Sequence, residues 1–180
     1  MLRLILMRHA EAGFTAPTQA DFERPLTARG MGEARSQAAI LREHNLIPDL
    51  VLCSPAVRTK STWGALAEEL TPHLGIDFEL HSPQSLYQAS KSQLLDHLCK
   101  IDGHIDIALL IAHNPGVHEL AQSLAQPLSG QNHSAESMKL QTSFAPATMA
   151  VFDCHGRDWF DINHQTVTLK HVLTPVRSVF

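Results

Sequence analysis

Two hydrophobic periods alternate along this chain. Short apolar runs occur at Leu2–Met7, Asp49–Cys53 and Ile105–Ala112, and a brief one at Phe78–Leu80. Runs of this length without alternation suit strands buried on both faces. Between them the spacing changes to three and four. Met31, Ala34, Ala38 and Leu41 make one stripe and predict a helix over Ala28–His44, with Thr27 as its cap. Trp63, Leu66, Ala67, Leu70 and Leu74 do the same for Pro55–Leu74, and Val117, Leu120, Ala121 and Leu124 for Pro115–Ala125. Ser90 and Gln93 have the form of a capping box that opens a helix carrying Leu94, Leu95 and Leu98.

Past the third long helix the pattern weakens. Pro127–Ser143 is polar, without period, and reads as a long loop. Thr148–Asp153 and Trp159–Asn163, joined through Gly156, read as a closing hairpin. The alternation predicts an α/β protein of three layers, α/β/α. Its central sheet is mostly parallel, with helices on both faces. At 180 residues the chain fits one domain, 1–180.

Composition narrows the function classes. Net charge is −4, and the 14 Lys and Arg residues are scattered, so no basic field invites nucleic acid. No run approaches the ~20 apolar residues of a membrane span. Leu4–Met7 is too short for a signal peptide and is interrupted by Arg8, His9 and Glu11. Cys53, Cys99 and Cys154 form no framework, which fits a cytoplasmic protein. Twelve histidines are many, yet His113 and His118 are five apart and no zinc pattern emerges. Neither a metal nor another cofactor is expected, and the oligomeric state is not legible.

The candidate chemistry stands at three predicted strand ends. The first closes on Arg8-His9, the second on Ser54-Pro55 with Arg58 a turn later, and the third on His113-Asn114-Pro115. Ser and Asn are good helix caps, and Pro is favoured at the first helical position. Each of the two later strands is therefore expected to pass directly into a helix whose N-terminus faces the carboxyl edge of the sheet. Ligands of open α/β sheets bind at that edge, and helix N-termini there suit phosphate. If the three strands are neighbours, two arginines and two histidines face one small volume, and an anion between them offsets the repulsion.

These residues carry a resemblance. Leu6-Met7-Arg8-His9-Ala10, the run Ser54 to Thr62, and Ile111-Ala112-His113-Asn114-Pro115 resemble the histidine phosphatase superfamily, the phosphoglycerate mutase-like group. The small size and Asp21-Phe22-Glu23-Arg24-Pro25-Leu26-Thr27 resemble its short bacterial phosphohistidine phosphatases of the SixA type. The resemblance implies a phosphoglycerate mutase-like fold. It implies His9 as nucleophile and transient phosphohistidine, with Arg8, Arg58 and His113 holding the phosphoryl oxygens. Asn114 would donate a further hydrogen bond or serve only as a helix cap, and Arg24 would reach the rim. Phosphoryl transfer asks mainly for positioning and dispersed positive charge, which guanidinium forks supply.

One expected group is missing. Many members of the superfamily protonate the leaving group with a carboxylate after the third strand, and here no acid lies between Glu79 and Asp96. Asp21 is the preferred substitute, with Glu11 or no residue at all as alternatives. An alkoxide leaving group needs a proton, whereas the imidazole of a phosphohistidine leaves from a weaker P–N bond. The expected substrate is therefore phosphohistidine on a partner protein. A small phosphate ester (as phosphatase or mutase) and a non-catalytic phosphate-binding domain are the alternatives.

Overall fold

A computed structural model describes residues 1–13, 18–128, 130 and 132–175. Six strands form one sheet: β1 (Leu2–Arg8), β2 (Leu50–Cys53), β3 (Glu79–His81), β4 (Ile107–Ala112), β5 (Met149–Cys154) and β6 (Val167–Leu173). Their spatial order is β3-β2-β4-β1-β5-β6. The first four are mutually parallel, and β5 and β6 run antiparallel at one side. The fold is thus the mostly parallel α/β/α arrangement expected from the alternation.

The apolar runs form strands because both of their faces are covered. In β1, Leu4 and Leu6 enter one core while Ile5 and Met7 enter the other; in β4, Ala108 and Leu110 oppose Leu109 and Ile111 in the same way. Helices α1 (Ala28–Glu43) and α2 (Val57–Leu70) cover one face. α3 (Lys91–Leu98), α4 (Gly116–Leu124) and α5 (Ala135–Thr142) cover the other. Thr27 caps α1 by accepting from the Gly30 amide, and Ser90 with Gln93 completes the expected capping box on α3. Cys53 is buried, and burial pushes its thiol up to about 12, so it is inert packing.

Four expectations need correction. The second helix starts at Val57, not Pro55, with extended Ala56 as its cap position, and it yields to a 3-10 turn at Thr71–His73. Ser54 is not the cap because its hydroxyl is held by His113. The helix after β4 starts at Gly116, and the Asn114 side chain reaches the Phe144 carbonyl instead of capping it. A Cβ at Gly116 would lie 2.0 Å from the Ala89 carbonyl oxygen, so only glycine admits this close approach.

The stretch Pro127–Ser143 contains α5, capped by Ser134; residues 129 and 131 lie outside the described residues. Of α5, only Ser137 and Leu140 are buried, too few to print a helical period on the sequence. Finally, the partner of β5 is β6, whereas Trp159–Asp161 is a 3-10 turn. Trp159 is fully buried and its indole N–H donates to the Ile105 carbonyl across 2.8 Å, so it closes the end of the core rather than continuing a hairpin. Among the described residues no helix is long and apolar enough to cross a membrane.

Candidate active site

Strands β2, β4 and β1 are consecutive in the sheet, so their carboxyl ends meet. The parallel register pairs Arg8 with Ala112 and Cys53 with Ile111. This delivers His9, Ser54 and His113 to one edge. A cavity of about 310 Å³ opens there, lined by Arg8, His9, Asp21, Arg24, Arg58, His113 and Asn114 together with Glu11, Ala12, Gln88 and Pro146. The seven preferred residues, and Glu11 as the alternative to Asp21, thus line a single cavity.

His9 is held in one tautomer. Its Nδ1 lies 2.8 Å from the Ala10 carbonyl oxygen, which can only accept, so Nδ1 carries the proton. Nε2 then keeps its lone pair, and Arg58 Nε donates to it across 3.2 Å. Burial holds the His9 pKa down to about 4; the Ala10 bond opposes this, and the charges of Arg58, Arg8 and Arg24 add to it. At neutral pH the ring is an uncharged imidazole with its free nitrogen among guanidinium groups. His113 is 5.2 Å away between ring centroids, and its pKa is held down to about 3, first by burial and then by Arg58.

The cations are fixed by the backbone around them. Arg8 Nη1 donates to the Phe144 carbonyl, which also accepts from Asn114 Nδ2, both at 3.0 Å. Arg24 is tied by its Nε to the Gly13 carbonyl and by Nη1 to Asp21. Arg58 is 4 % exposed and sits in the first turn of α2. One turn on, the Thr62 hydroxyl donates to the Arg58 carbonyl and accepts from the Ala10 amide. Thr62 thereby fastens α2 to the turn after His9. The four-residue spacing of Arg58 and Thr62 puts both on one helix face, a signal present in the sequence.

Asp21 lines the cavity and is ringed by donors. Its carboxylate accepts from Arg58 Nη2 at 3.0 Å, from Arg24 Nη1 at 3.2 Å and from the Tyr87 hydroxyl at 2.8 Å. Burial acts to raise its pKa, but these hydrogen bonds and the Arg58 charge outweigh it and bring it to about 2. In this arrangement the Asp21 carboxylate is an internal counter-ion to Arg58 and Arg24. Glu11 accepts from the Thr27 hydroxyl at 2.9 Å and pairs with Arg29, which ties the loop to the start of α1.

Tyr87 carries no signal in the sequence, since a lone tyrosine in the stretch after β3 has no motif around it. Its ring stands edge-on to His113 at 5.6 Å, and the Arg58 guanidinium carbon lies 5.9 Å from the ring centre. Ser54, expected as a helix cap, instead has its hydroxyl 2.7 Å from His113 Nε2. Gln37 was missed as well: its amide donates to the carbonyl of Ala147, a residue at φ +58° whose own amide donates to His9. Among the described residues no three His, Cys, Asp or Glu side chains are grouped to hold a metal ion.

Comparison with known proteins identifies the family. The family model for the histidine phosphatase superfamily (branch 1) matches residues 4–81. An uncharacterized protein of Mycobacterium tuberculosis is 30% identical over 156 residues, 87% of this chain and 91% of that protein. A solved structure from Nakamurella multipartitia, provisionally named phosphohistidine phosphatase SixA, superposes with a TM-score of 0.82 at 28% identity, covering 98% of this chain and 97% of that one. A second, from Agrobacterium tumefaciens and named in the same provisional way, has a TM-score of 0.78 at 23% identity, with 97% and 98% covered, and shares the fold. Superfamily membership supports a hydrolase that acts as a phosphatase. The chain belongs to the histidine phosphatase superfamily, in its SixA-type branch.

Proposed function

We propose that the chain, working as one domain, hydrolyses phosphohistidine on a partner protein through a covalent intermediate on His9. The observation that carries this reading is the state of His9. It is neutral, with Nδ1 tied to the Ala10 carbonyl and Nε2 presented beside Arg58. In the first step the Nε2 lone pair forms a bond to phosphorus as the P–N bond of the substrate breaks. The departing imidazole keeps that electron pair and takes a proton from water. In the second step water attacks phosphorus, the P–Nε2 bond breaks, and inorganic phosphate leaves with neutral His9 restored. Arg8, Arg58 and His113 hold the phosphoryl oxygens through both displacements. Arg24 and Asn114 bind at the rim, and the chemistry uses no metal or other cofactor.

The surroundings favour nitrogen as the leaving atom. Asp21 is held ionised by two arginines, and Glu11 is engaged by Thr27 and Arg29. Asp21 in this arrangement carries no proton ready for a departing alkoxide. One observation favours a small phosphate ester as the second reading. The Tyr87 hydroxyl is a proton-bearing group that donates to Asp21, a residue of the cavity lining, and burial together with Asp21 raises its pKa.

The test is His9→Ala assayed on a phosphohistidine peptide, sugar phosphates and an aryl phosphate. The wild-type protein is expected to prefer the peptide and to show an acid-labile, base-stable phosphoenzyme on rapid quench. The variant should fold normally and lose turnover by at least on the order of a thousandfold. Retained aryl phosphatase activity in His9→Ala would overturn the mechanism, and a preference for sugar phosphates would overturn the substrate.

A further inference from the structure

Ser54 and His113 form a buried pair behind the cavity. Ser54 is fully buried, His113 is 4 % exposed, and Ser54 Oγ lies 2.7 Å from His113 Nε2. His113 lines the cavity and Ser54 does not. The pair is therefore no serine nucleophile with its base, because the hydroxyl lies out of a substrate's reach. Its effect must pass through the imidazole.

The hydrogen-bond inventory determines which way the proton points. A neutral imidazole carries one N–H. Suppose it were on Nε2 and donated to Ser54 Oγ. The Ser54 hydroxyl hydrogen would then have no acceptor, as His113 is its sole side-chain contact among the described residues, and His113 Nδ1 would be an unpaired lone pair. If the Ser54 hydroxyl donates to Nε2 instead, the hydroxyl is satisfied and one group is left over. That group is an N–H at Nδ1, a buried nitrogen without a partner among the described residues. One orphan costs less than two. The remaining orphan is also of the useful kind: an N–H attracts a phosphoryl oxygen, while a lone pair repels it.

We infer that Ser54 is a positioning residue that fixes the tautomer of His113, so that its single proton sits on Nδ1 as a donor to the phosphoryl group. This rests on the reading of His113 as a phosphoryl-holding residue. Depressed basicity makes the device necessary. Held down to about 3, His113 stays neutral at pH 7, and a neutral ring in the wrong tautomer offers the anion no donor.

The experiment uses the full chain labelled with ¹⁵N-histidine, with His113→Gln to assign the signals, and long-range ¹H–¹⁵N spectra at pH 7. Wild type is expected to show His113 protonated at Nδ1. Ser54→Ala is expected to move the population toward Nε2–H, to weaken tungstate binding about tenfold and to lower kcat on a phosphoramidate by a similar factor. Ser54→Thr, which keeps the hydroxyl, should restore all three.

An Nε2–H signal in wild type overturns the inference, and this spectrum decides even if Ser54→Ala does not fold. So does an unchanged tautomer in Ser54→Ala whatever its affinity, or a changed tautomer with tungstate affinity as in wild type. Undiminished tungstate binding by His113→Gln overturns the reading of the pocket itself.

Discussion

Arg58 Nε donates to His9 Nε2 across 3.2 Å, while the two terminal nitrogens of the same guanidinium donate to the backbone and side chain of Asp21. One side chain thus spans the proposed nucleophile and its nearest internal anion. Lysine carries the charge but not the fork. Arg58→Lys is expected to lower kcat/KM on an aryl phosphate by on the order of a hundredfold, with the fold intact by circular dichroism. A loss of less than threefold would show that the charge alone suffices.

Asp21 competes for the donors that would hold a phosphoryl group. Asp21→Asn keeps the shape and removes the charge. Binding of tungstate, measured by calorimetry, should tighten a few-fold, in line with the modest worth of a partly exposed ion pair. If binding weakens, Asp21 orders the pocket and does not compete for it. The same variant tests the proton-donor role: a kcat loss confined to esters with poor leaving groups would restore it, since the arriving phosphoryl group would take over Arg58 and let Asp21 accept a proton.

The histidine pKa values set both activity and stability against pH. His9 and His113 are held at about 4 and about 3 in the folded protein, below the ordinary 6.5. Between pH 6.5 and about 3 the unfolded chain therefore binds more protons than the folded one. Stability is full above pH 6.5 and falls as pH drops through that window. Melting temperature should decline from pH 7 to pH 5, and less so in His113→Gln. Turnover of an aryl phosphate should nevertheless show no loss of nucleophile near pH 6.5, because His9 stays neutral to about 4. An inflection of kcat/KM at 6.5, matched by titration of the His9 ring at the same pH in ¹H–¹⁵N spectra, would contradict the placement of His9 in a buried, cationic pocket.

Trp159 is remote from the cavity and tests the fold separately. Trp159→Ala removes a fully buried indole and its bond to the Ile105 carbonyl. Chemical denaturation should show a loss of ~3–5 kcal/mol. The activity of the molecules that remain folded should stay at the wild-type level. A variant as stable as wild type would mean that the core closes without the indole.

Most of the layered fold was legible because it rests on periodicity. Strands buried on both faces print unbroken apolar runs, and helices covering one face print stripes; the caps at Thr27 and Ser90 act within four residues of themselves. What misled was local pattern without tertiary competition. Ser54-Pro55 and Asn114-Pro115 have the composition of helix starts, yet the side chains of Ser54 and Asn114 found partners 59 and 30 positions away, at His113 and Phe144. In α5 and Trp159–Asp161, too few residues are buried for any period to show.

The sequence by itself determined which residues could meet an anion: Arg8, His9, Arg58 and His113 each stand at or just beyond the end of a predicted strand, and strand ends are readable from hydrophobic pattern. Only the tertiary structure decided what those groups are. The tautomer of His9, the neutrality of both imidazoles, and the pairing of the Asp21 carboxylate with Arg58 depend on burial and on partners brought together by the order β2-β4-β1. Protonation is a property of surroundings. Those surroundings are assembled from segments far apart in the chain, so no local stretch of sequence carries the information.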